Sequence, residues 1–233
     1  SYEIADKLMF NADCAPLIQI IAIGIPLSAI HSCICGYYYG CKKTFIPAIS
    51  QIIEQLIRIF SVIIYYHLIS ENLEKAYNDG SDRNARRNMM IASTIGGMSF
   101  ISSNVGAVHA FAETVGAWFD TPHGVANSLF LPYVMEYNIP ACPERFVDIA
   151  CAMGLKREDG MTDEEYALKT VEYVKALNRK LNIPTIRDIK GITEENFETI
   201  AERSANNVLS ADNARKITKE DYLNLIIKAY NDK

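Results

Sequence analysis

Residues Val108 to Gly124 read VHAFAETVGAWFDTPHG. Two of the four histidines of the chain stand here, His109 and His123, fourteen residues apart. His109 lies in a helix-like run. His123 follows Thr121-Pro122, which reads as the start of another helix, because proline is favoured at the first helical position. Two imidazoles brought together from adjacent helices can hold a divalent metal. Gly124 follows directly and lets a backbone or a ligand approach closely. Against this stands the plainer reading of two packing or surface histidines, since no HExxH or CxxC pattern accompanies them.

Outward from this stretch the pattern is helical in both directions. Residues 49–77 are apolar with helical spacing and stop at Asn78-Asp79-Gly80. Ser81 is the expected N-cap of the next helix, with Asp82 in its first turn, running to about Ser99. The small residues in this helix, Gly96-Gly97 among them, predict close helix–helix approach at the centre of the fold. Ser102-Ser103-Asn104 marks a break before a helix over 105–117 that carries His109. The helix opened by Pro122 is expected to reach about Tyr137, and another spans 144–153 to Gly154. Thr162 with Glu165 predicts a capping box. Tyr166, Val171, Val174, Leu177 and Leu181 then share one stripe of a half-exposed helix over 162–182. Thr193 opens a further helix, and Thr218 with Asp221 opens the last, reaching Tyr230. No alternating strand pattern follows residue 45, so the expectation is an all-α chain: a helical domain over 47–233 after a divergent N-terminal segment, 1–46.

Composition narrows the partners. Of 233 residues, 49% are apolar, which permits a sizeable core. The net charge of −5 without a basic run excludes nucleic acid as an expected partner. Six cysteines without a CxxC pair fit a reduced, cytoplasmic setting better than a disulfide framework. Residues 14–41 carry no charge and are long enough to span a bilayer. Pro26 and His31 interrupt them, and a buried helix pair is the expected reading over a membrane span.

The phrases NMMIASTIGGMSF and VGAVHAFAETVGAWFDTPHGVANSLFLPYVMEYN resemble the iron-containing (group III) alcohol dehydrogenases. So do LISENLEKAYNDGSDRNAR before them and SADNARKITKEDYLNLIIKAY at the end. The resemblance runs from Leu68 to Tyr230. In that family a nucleotide-binding α/β domain comes first and a helical domain carries the metal. The resemblance thus implies the helical domain alone, with the nucleotide-binding domain expected to be absent. It also implies His109 and His123 as metal ligands, Fe²⁺ or Zn²⁺ as the ion, NAD or NADP as the hydride partner and a small alcohol or aldehyde as substrate. A homodimer remains open.

Two departures from the family pattern matter. Where the family has a further histidine four residues after the first, this chain has Glu113. It is either an ordinary helix glutamate or a group that orients substrate, relays a proton or completes the coordination. The family's aspartate and histidine, four apart, correspond here to Leu27 and His31. His31 is then the third candidate metal ligand, but leucine cannot bind a metal, and no acidic residue stands between Asp13 and Glu54. The alternative to an oxidoreductase domain is therefore a non-catalytic helical remnant or assembly subunit that binds metal weakly or not at all.

Overall fold

The computed structural model describes residues 30, 33, 34, 36–38, 40–42, 45–100 and 104–232. The chain divides into two units, Ser1–Arg58 and Ile59–Lys233. Among the described residues there is no strand. Eight α-helices are described from Phe45 onward: α1 (Phe45–Asn78), α2 (Arg83–Phe100), α3 (Ala107–Phe119), α4 (His123–Asn138), α5 (Pro143–Ala152), α6 (Asp163–Lys180), α7 (Phe197–Ala205) and α8 (Lys219–Asn231). No helix among the described residues is long and apolar enough to cross a membrane. Residues 1–29 and the break at 102–103 lie outside the described residues, as does most of the uncharged stretch 14–41.

Helix α3 forms the centre of the second unit. Ala107, Ala110, Phe111, Ala112, Thr114 and Val115 are buried along it. Phe111 stacks on Phe130 of α4 with ring centroids 4.1 Å apart, and meets Tyr222 of α8 edge-on at 4.7 Å. Ile200 and Ala201 of α7 close the same core. A second core joins α4 to α5 and α6 through Met135, Ile139, Phe146, Ala167, Val171 and Val174. Helix α4 belongs to both, which explains why it is apolar around most of its circumference.

Pro132 stands inside α4. A proline there removes the hydrogen bond to the carbonyl four residues earlier, that of Ser128. Asn178 of α6 replaces it, donating from Nδ2 to the Ser128 carbonyl at 2.6 Å. The interior proline is thus tolerated by a neighbouring helix.

The expected helix starts hold closely. Thr162 and Glu165 form the capping box of α6, and Thr218 and Asp221 that of α8. Three expectations need correction. Asp82, not Ser81, caps α2: its Oδ1 accepts from the N–H groups of Asn84 and Ala85 at 3.0 and 2.9 Å. Pro122 is the cap rather than the first residue of α4, so the helix begins at His123. Helix α2 is not central. Of its described side chains only Ala85 and Ala92 are buried, while Met90 and Ile91 are 59% and 40% exposed. The close approach at Gly96 is real: a Cβ there would lie 2.8 Å from the Tyr65 ring of α1.

Candidate metal centre

Helix α3 places His109 in its first turn, half-buried. Asp120 ends α3 in the left-handed conformation (φ +48°), which aspartate tolerates better than most residues. Pro122 is extended, and the short turn carries the chain back along α3 to start α4. His123, the first residue of α4, thereby meets His109. The two ring centroids are 5.3 Å apart and the planes are tilted by 54°. Burial pushes the His109 imidazolium below its ordinary range, the neighbouring His123 adds to this, and the Glu113 carboxylate opposes it. His109 is accordingly neutral near pH 7 with a lone pair to give.

Asn127, one turn beyond His123, directs its amide at the same ring. Its Nδ2 lies 3.0 Å from His123 Nε2 and donates to the His123 carbonyl at 3.0 Å. Its Oδ1 is buried and has no hydrogen-bond partner among the described residues. Such an orphaned acceptor costs about 1–3 kcal/mol.

Glu113 lies four residues after His109 on α3, exposed, with Oε2 accepting from Asn207 Nδ2 at 2.8 Å. Sequence reasoning missed Asn207 altogether, because the contact joins residues 94 apart. His31 and Leu27 lie outside the described residues. His67 is exposed on α1 beside Glu71, 3.6 Å away. Trp118 stacks under Arg203 at 4.5 Å, and Phe119 packs against the core. The described cysteines Cys33, Cys41, Cys142 and Cys151 are free thiols.

The donor set fits a divalent ion in part. Two imidazoles with ring centroids 5.3 Å apart suit one ion, since nitrogen ligands sit about 2.0–2.1 Å from a tetrahedral centre. Among the described residues no group of three His, Cys, Asp or Glu side chains could hold a metal.

A profile of the C-terminal part of the iron-containing alcohol dehydrogenase family matches residues 62–230. The chain belongs to this family. It is 38% identical over 165 residues to alcohol dehydrogenase 4 of Saccharomyces cerevisiae strain YJM789, covering 70% of this chain and 41% of that protein. It is 39% identical over 150 residues to lactaldehyde reductase of Escherichia coli strain K12, covering 64% and 39%. The crystal structure of a 1,3-propanediol oxidoreductase superposes with a TM-score of 0.70 at 34% identity, covering 74% of this chain and 45% of that one. The chain therefore spans about two fifths of the length of the curated relatives it matches. The all-helical architecture is that of the C-terminal domain of iron-containing alcohol dehydrogenases.

Proposed function

We propose that the chain is the metal-holding helical domain of an alcohol dehydrogenase, with His109 and His123 as two nitrogen donors to one divalent ion, Fe²⁺ or Zn²⁺. The supporting observation is the 5.3 Å approach of the two rings in the helical domain of a family named for its metal. An ion bound there supplies Lewis acidity that stabilises an alkoxide. The residues of the chain do the rest. His109 and His123 bring two imidazole rings together, Asn127 sets its amide NH₂ against His123 Nε2, and Glu113 places a carboxylate one helical turn from His109. The substrate is a small alcohol or aldehyde, and the hydride partner is NAD or NADP. A nucleotide-binding domain, in a longer protein or a separate chain, would bring the NAD or NADP to this pair.

The competing reading is a non-catalytic helical unit. It rests on the donor set, which numbers fewer than three among the described residues. Metal content separates the two. The chain is purified anaerobically, loaded with Fe²⁺ or Zn²⁺, and its bound metal is counted after desalting. One ion per chain, lost on His123→Ala, supports the metal centre; none supports the non-catalytic unit. Turnover of short primary alcohols with NAD or NADP by this chain alone is expected to be undetectable. Placing the reacting atoms is worth about 7–11 kcal/mol of barrier, and the cofactor is placed by the nucleotide-binding domain. Turnover that disappears on His123→Ala would show instead that these residues suffice.

A further inference from the structure

Residues 204–213 form a strap across α3, fixed at both ends. A partly buried polar chain bolts down Ser204 and Ser210. Ser204 Oγ donates to Thr114 Oγ1 at 3.3 Å, Ser210 Oγ lies 2.6 Å from the Ser204 carbonyl, and the Ser210 and Tyr222 hydroxyls meet at 2.6 Å. At the other end Asn213 Oδ1 accepts from the Ala107 N–H at 3.3 Å and from Asn138 Nδ2 at 3.1 Å. Gly106 allows this approach: a Cβ there would lie 3.1 Å from the Asn213 Cα.

Asn207 lies in the loop between Ser204 and Ser210, which the first anchor closes. Its Oδ1 caps the 3₁₀ turn Val208–Asp212 by accepting from the Leu209 N–H at 3.0 Å. That bond fixes the orientation of the amide, because only the oxygen can accept from a backbone N–H. The NH₂ end therefore faces Glu113 Oε2, at 2.8 Å. Glu113 lies on the His109 face of α3, by the spacing of four residues. Without Asn207 its long side chain would sample several rotamers.

We propose that Asn207 is a positioning residue of the metal centre. It holds the Glu113 carboxylate beside the His109/His123 pair as a hydrogen-bonded, outer-sphere anion that offsets the charge of a bound divalent ion. This rests on the metal reading above. It gives the centre a source of negative charge, which leucine could not supply at Leu27, the position where the resemblance implies the family's aspartate. Groups hydrogen-bonded directly to metal ligands typically carry about 10–100-fold in metal affinity, and Asn207, which acts through Glu113, belongs at the low end of that range.

The test is a Co²⁺ titration of the full chain, followed by visible absorption, on a double-mutant cycle. Asn207→Ala is expected to weaken Co²⁺ binding about tenfold, and Glu113→Gln at least as much. In the Glu113→Gln background, adding Asn207→Ala should change affinity by less than about twofold, because the two groups act as one. Asn207→Ser keeps the cap of the turn but is too short to reach Glu113. It should lose affinity as Asn207→Ala does while keeping the native melting temperature. An equal loss from Asn207→Ala in both backgrounds, or native affinity in Asn207→Ser, would overturn the proposal while leaving the histidine pair in place. A native chain that binds no Co²⁺ would overturn the metal reading itself, and this inference with it.

Discussion

Asn178 is the residue on which helix α4 depends most plainly. The Pro132 ring leaves the Ser128 carbonyl without its intrahelical donor, and the Asn178 amide supplies one from α6. Asn178→Ala should strand that carbonyl and cost about 1–3 kcal/mol, read as a lower urea midpoint with an unchanged slope. Asn178→Asp should be no better, since a carboxylate cannot donate. Little of this was legible in the sequence. Pro132 could be seen, but its compensation comes from a residue 46 positions later, and no local pattern announces it. The same holds for Asn207 and Glu113. By contrast the resemblance already paired His109 and His123, and the short turn between their helices brings the two rings together. The His31 expectation falls outside the described residues.

At the scale of elements, helix starts were readable where chemistry is local. A threonine followed three residues later by an acid satisfies two backbone donors reciprocally wherever it occurs. Asp82 displaced Ser81 because both residues can cap, and only the backbone path decides which side chain reaches the first turn. The 3₁₀ turns at Ile186–Asp188 and Val208–Asp212 show no 3.6-residue period and were not foreseen. Helix α2 was misplaced for a related reason. Its small residues signal close approach, which Gly96 makes against Tyr65, but one close contact does not bury a whole helix. The strap over α3 gives a test at this scale. Gly106→Ala places a methyl group against the Asn213 backbone. It should cost about 1–3 kcal/mol through overpacking, seen as a lower melting temperature. Because Asn213 holds the start of α3, the amide of Ala107 should exchange faster in the same variant.

For the whole molecule, carboxylates held by hydrogen bonds set the acid limit. Asp232, just beyond α8, receives hydrogen bonds from Lys175 of α6 and from Tyr133 of α4, the latter at 3.0 Å. The Lys175 bond is the largest cause holding the Asp232 carboxyl below its ordinary 3.8, with Tyr133 adding to it. Asp188 is likewise lowered, by the side chain and backbone of Thr185. A folded value below the unfolded one means that each contribution is present above the ordinary value of 3.8 and is lost as the pH falls below it. Melting temperature should therefore be steady near neutrality and fall once the pH drops under about 4. Asp232→Asn should flatten that part of the profile while lowering stability at pH 7.

Zinc K-edge X-ray absorption on the Zn²⁺-loaded chain reads directly whether His109 and His123 bind one ion. Two imidazole nitrogens are expected at about 2.0–2.1 Å, with both contributions lost in His109→Ala/His123→Ala. Zinc held instead through cysteine sulfur at about 2.3 Å, or a spectrum unchanged in the double variant, would contradict it.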